Sequence, residues 1–160
     1  MVKTKLSDKE VVSVIESWID RVSEKRAELN GWSICPFSSK KVTWESFVLD
    51  KLDFESVSKI CEGHEKEIII FTAGNDEPDF VELESIAISL NQTYPKLLFF
   101  PDHVSQQTYI KDIETGNQSI ALIVMQQKDK LFQARAGLEK TDYYALWSEE
   151  FIEEIKNYGK

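Results

Sequence analysis

Residues 31–40 read GWSICPFSSK, with a cysteine followed at once by proline and phenylalanine. Cys35 has the chemistry of a nucleophile: a thiolate attacks strongly once a neighbouring imidazole, cation or helix N-terminus favours it over the thiol. Pro36 lacks an N–H and has a fixed φ, so it can hold the thiol in one orientation. The chain has two histidines, His64 and His103. His64 belongs to the same end of the expected sheet as Cys35, which makes it the candidate base. The plainer role for Cys35 is packing, as a small apolar group beside Trp32, Ile34 and Phe37.

Cys35, Cys61, His64 and His103 also match the ligand number of a tetrahedral zinc site, and Cys61-x2-His64 has close spacing. Expected topology works against convergence, because Cys35, Cys61 and His64 precede strands whereas His103 follows one. No metal is therefore expected. C-P-F is half of the C-P-x-C of thiol–disulfide proteins, but Ser38 stands at the second cysteine position, so a dithiol oxidoreductase is not expected. Asp76, Glu77 and Asp79 crowd one loop without the spacing of a calcium-binding loop, and helix capping accounts for them. Asp102 and His103 are neighbours whose side chains should point apart. No phosphate-cradling or hydrolase motif is present.

A second group lies at 134–147, ARAGLEKTDYYALW, where Arg135, Lys140, Tyr143, Tyr144 and Trp147 combine cations with aromatics. Arg, Tyr and Trp are common anchors at interfaces, so Arg135, Tyr143, Tyr144 and Trp147 form a candidate binding surface. The plainer role is an amphipathic packing segment.

These residues need elements to position them. Ser7 and Glu10 form an S-x-x-E capping box before Val11, Val14, Ile15, Trp18 and Val22, which predicts a helix fading near Asn30–Gly31. Residues 41–49 lean to strand. A short helix follows through Phe54, Val57, Ile60 and Cys61, and EIIIFT at 67–72 reads as a buried strand. Asp79 and Glu82 cap a helix striped by Phe80, Leu83, Ile86, Ala87 and Leu90. KLLFF at 96–100 and SIALIVM at 119–125 are further strands. KLFQARA, 130–136, is expected to pair back across Lys128–Asp129, and a last helix starts near Ser148. Alternating helices and strands give parallel neighbours, and the late hairpin adds antiparallel pairing. The expectation is an α+β fold, α/β-like in its first half: one domain over residues 1–160, with a mixed sheet of about five strands and helices packed against it.

With 160 residues and 42% hydrophobic content the chain can bury its own core. A net charge of −9 argues against nucleic acid and anionic membrane surfaces. No apolar run approaches the roughly 20 residues of a bilayer span. MVKTKLSDKE has no apolar stretch behind its lysines, so a cytoplasmic location is expected, with both cysteines reduced.

W-I-D-R-V at Trp18–Val22 and L-N-G-W-S-I-C-P-F at Leu29–Phe37 resemble an uncharacterised bacterial family of small proteins. Its members open with a Trp-bearing helix followed by an L-N-L-C-P-F-type signature. EIIIFT and PDFVELESIAISL resemble that family's next strand and acidic helix, so the likeness runs as far as Pro101. The family's later R-S-P-x-P run has no counterpart here. The resemblance implies a shared site at Cys35, Pro36 and Phe37 and implies no activity.

Three function classes follow. The leading expectation is a non-enzymatic binding or regulatory module that engages a protein partner or small molecule, because no complete catalytic constellation is visible. It calls for a buried Cys35 and an exposed aromatic patch. A thiol-dependent enzyme, with Cys35 as nucleophile and His64 as base, calls for an accessible thiol in a pocket. A structural zinc protein is the third. No cofactor is expected in the first two.

Overall fold

The computed structural model describes residues 5–35, 44–61, 68–117 and 119–158. Helix α1 spans Asp8–Ser23, and its capping box is formed: Glu10 N–H donates to Ser7 Oγ and Ser7 N–H to Glu10 Oε1, both at 3.2 Å. The chain continues through β1 (Trp44–Val48), α2 (Phe54–Cys61), β2 (Ile68–Thr72), α3 (Phe80–Thr93) and β3 (Leu97–Asp102). A short hairpin, β4 (Tyr109–Ile110) and β5 (Ile113–Glu114), precedes β6 (Leu122–Gln127), α4 (Lys128–Glu139) and α5 (Glu149–Asn157).

The main sheet has the order β1-β2-β6-β3. Strands β1 and β2 are parallel, and β6 runs antiparallel to both of its neighbours, β2 and β3. The fold is therefore α+β with a mixed sheet and helices against it, a single unit as expected. The antiparallel component arises differently from the expected hairpin. Residues 130–136 lie inside α4, not in a strand. The reason is steric: β2 and β3 already occupy both edges of β6, so a following strand has no edge left to join. Leu131 and Leu138, two helical turns apart, turn inward instead.

Alternation along the strands separates two faces. Ile69, Phe71, Phe99, Ile123 and Met125 pack with Val57, Cys61, Leu83, Ile86 and Leu90 of α2 and α3. Ile68, Ile70 and Leu122 turn the other way and pack with Val11, Ile15 and Ile19 of α1. All five residues of β2 are buried, as a strand covered on both faces must be. Beside α1 a third cluster joins Val22, Leu29, Ile34 and Ile110 with Trp18, Trp32, Cys35, Trp147 and Phe151.

Helix α1 stops at Ser23, earlier than the spacing predicts. Residues Ala27–Leu29 form a single 3-10 turn, and Asn30 and Gly31 take left-handed conformations with φ of 56° and 85°. Arg26 O accepts from Gly31 N–H at 2.8 Å, and Arg26 N–H donates to Trp32 O at 3.0 Å. The Asn-Gly pair thus reverses the chain, not merely the helix, and returns Cys35 to the end of α1, where its N–H donates to Val22 O at 2.7 Å.

The outer edge of β3 is closed by side chains. Asn91 of α3 accepts from Phe99 N–H at 2.8 Å and donates to Phe99 O at 3.1 Å. The Tyr158 hydroxyl donates to the same carbonyl. At Phe99 the amide takes the hydrogen-bonding place of a neighbour strand. Among the described residues no helix is long and apolar enough to cross a membrane.

Candidate functional site

The two groups of residues singled out in sequence come together. The loop 31–35 and the segment 141–147 are joined at three points. Trp32 Nε1–H donates to Asp142 Oδ1 at 2.8 Å. The Tyr143 hydroxyl donates to the Ile34 carbonyl. The rings of Trp32 and Tyr143 meet edge to face at 5.5 Å. Cys35 follows Ile34 directly, is half-buried, and carries no disulfide. It shares its packing cluster with Trp18, Trp147 and Phe151.

Arg135 approaches this cluster from α4. Its guanidinium lies 5.7 Å from the centre of the Phe100 ring, and Nη1 donates to Ile155 O at 3.1 Å in the last turn of α5. A cation at a helix C-terminus is well placed against the helix dipole. Burial pulls the guanidinium below its ordinary range, while the nearby Tyr144, Cys35 and Tyr143 hold it up. Arg135 stays charged at neutral pH. The same proximity runs the other way. Burial pushes the Tyr143 hydroxyl well above the ordinary phenol range, with Cys35 adding to the rise and Arg135 opposing it. Tyr144 is raised by burial too, against Arg135.

The aromatics of 143–151 do not stand as a free patch. Tyr143 is buried, while Tyr144 and Trp147 are half-buried. Tyr143, Tyr144, Trp147 and Phe151 contact one another in series at 4.8–5.4 Å between ring centres. They form a wall beside Cys35, with the guanidinium of Arg135 near it. Lys140 is exposed.

The remaining candidates lie elsewhere. His64, Pro36 and Phe37 fall outside the described residues. Cys61 is buried on the α2–α3 face and its thiol donates to Ser58 O at 3.7 Å. Cys35 lies in the separate cluster beside the end of α1. His103 is buried at the end of β3. Its Nδ1 accepts from Ser105 N–H at 3.0 Å, which makes Nε2 the protonated nitrogen, donating to Asp76 O at 2.7 Å. Both nitrogens therefore hold loops together. Asp102 turns away from it, accepting from the backbone and side-chain N–H groups of Asn117 at 2.9 and 2.7 Å.

Asp76, Glu77, Asp79 and His103 line a cleft of about 540 Å³ with Asp50 and Lys51. Asp79 caps α3, accepting from Glu82 N–H at 2.9 Å. Among the described residues no three His, Cys, Asp or Glu side chains are grouped to hold a metal ion.

The approach of Arg135 to Cys35 had no local signal in the sequence, because 100 positions separate them. Asp142 and Phe151 were not singled out, though Asp142 adjoins the Tyr143–Tyr144 pair. Comparison with protein-family models, with curated proteins and with solved structures gives no match.

Proposed function

We propose that this chain is a small acidic binding or regulatory module, and that in place of the buried cysteine and exposed aromatic patch this class called for, its working group is the half-buried Cys35 thiol, beside the aromatic wall of Tyr144 and Trp147. The observation that carries this reading is the half-buried, disulfide-free Cys35 packed in one cluster with Trp18, Trp147 and Phe151, on a loop that Trp32 and Ile34 tie to Asp142 and Tyr143. A neighbouring guanidinium favours thiolate over thiol, and the thiolate is the reactive form. Cys61 is buried on the α2–α3 face of the sheet. The module's partner would be a protein or a small molecule.

The test is alkylation of the folded protein with iodoacetamide, followed by peptide mapping. Cys35 is expected to be modified stoichiometrically while Cys61 stays protected until the chain unfolds. Protection of both cysteines to the same degree would end this reading and make C-P-F a packing motif.

A further inference from the structure

Strands β1 and β2 are parallel, and β2 and β3 both run against β6, so β1, β2 and β3 finish at one end of the sheet. The residues that follow them line the acidic cleft. His103, the first residue after β3, is 6% exposed in its wall. The Ser105 N–H can only donate, so Nδ1, 3.0 Å away, meets it with a lone pair. The Asp76 carbonyl can only accept, so Nε2, 2.7 Å away, carries the proton. The ring is thus held in one neutral tautomer that ties the loop after β2 to the chain leaving β3. Gln106 N–H donates to His103 O at 2.9 Å, so Ser105 lies inside a tight turn that Nδ1 also holds.

An imidazolium has two donors and no acceptor. A proton arriving at Nδ1 sets N–H against N–H at Ser105, whereas the bond to Asp76 needs no change. We infer that His103 is an acid-operated latch on this cleft, whose protonation frees the turn at 103–106 from the ring while Asp76 stays held. The surroundings favour a charged ring once it has left Ser105. Asp76, Glu77 and Asp79 line the cleft from the loop before α3, Glu82 from the first turn of α3, and Asp50 from the loop after β1, with Lys51 opposing them. Asp102 acts on the ring from β3. Histidine is the side chain whose charge ordinarily changes between about pH 5 and 8, so mild acid is the signal. The cleft then gains a positive charge among its carboxylates and loses one of the ties in its wall. The latch is independent of the reading of Cys35.

An NMR titration from pH 8 to pH 5 tests it. Long-range imidazole spectra report which ring nitrogen carries a proton. Amide exchange, scaled to its intrinsic rate at each pH, reports the Ser105 N–H. At pH 8 the expected state has Nε2 protonated, Nδ1 bare and Ser105 protected. As Nδ1 gains its proton, Ser105 protection should fall about tenfold, the effect of one hydrogen bond, along the same curve. The Ile70 amide inside β2 should hold throughout. His103→Asn supplies an uncharged oxygen that accepts from the N–H two residues on, as in an Asx turn, so Ser105 should stay protected across the range. Ser105 protection that survives protonation of the ring overturns the latch. So does a ring that takes no second proton while the chain is folded. An equal loss in His103→Asn also overturns it and assigns the response to the carboxylates. The wild-type titration decides alone if the variant does not fold.

Discussion

The Tyr143 hydroxyl donates to the Ile34 carbonyl across 109 positions of sequence. This bond sits next to Cys35 on one side and beside the Tyr144–Trp147 wall on the other. It ties the returning loop after α1 to the segment between α4 and α5. The position of the thiol relative to the guanidinium thus depends on a contact between the two ends of the chain. Cys35 N–H to Val22 O supplies the second anchor, so the residue is pinned from both neighbours in space.

Tyr143→Phe is expected to lower stability by about 1–2 kcal/mol, since it removes one buried hydrogen bond and leaves the Ile34 carbonyl without it. Tyr144→Phe is expected to cost less than about 0.5 kcal/mol, because the Tyr144 hydroxyl makes no hydrogen bond among the described residues. Urea unfolding of both variants checks the difference. Equal losses would show that the hydroxyl of Tyr143 does not hold the loop.

Alkaline titration should separate the tyrosines. Burial raises Tyr143, Tyr144 and Tyr158 above the ordinary phenol value of 10.0, with Tyr158 pushed up to about 12. A raised phenol keeps its proton longer in the folded state, so its contribution is intact below pH 10 and is lost as pH rises through about 12. Wild-type stability should therefore fall over that window, and part of the fall should vanish in Tyr158→Phe. Phenolate absorbance and unfolding measured in parallel give both curves. An identical fall in the variant would contradict the assignment.

Asp102 behaves in the opposite sense to a salt-bridged carboxylate. Its carboxylate lies beneath Gly116 and Asn117, and burial raises it above the ordinary value of 3.8, against the lowering effect of the Asn117 hydrogen bonds. Its contribution is fully present below pH 3.8 and is lost as pH rises through the raised value. Asp102→Asn removes that loss while keeping an acceptor oxygen. The stability of the variant relative to wild type should be greater at pH 7 than at pH 4. A difference constant across that range would show that Asp102 titrates normally.

Local patterns in the chain were legible. The Ser7–Glu10 box, the apolar stripe of α1, the Asp79 cap and the buried run of β2 all depend on neighbours within a few positions. Two elements were misread for a shared reason. KLFQARA has too few apolar residues for periodicity to distinguish strand from helix, and the decisive fact is that β6 already has two neighbours. The end of α1 likewise depends on Trp32 and Val22 receiving the returning chain. At the site, Cys35 and Arg135 were each visible as chemistry, yet their approach was not. The joining of residues 32–35 to 142–147 is set by the packing of Tyr143, Trp32 and Trp147 across more than 100 positions, and leaves no spacing to read.

The most direct measurement is the alkylation rate of Cys35 by iodoacetamide from pH 5 to 9, in wild type and in Arg135→Met, with Cys61 as the buried control. A guanidinium close enough to favour the thiolate makes the wild type react faster than the variant through the neutral range. Superimposed profiles, with the variant folded, would contradict the coupling of Cys35 to Arg135.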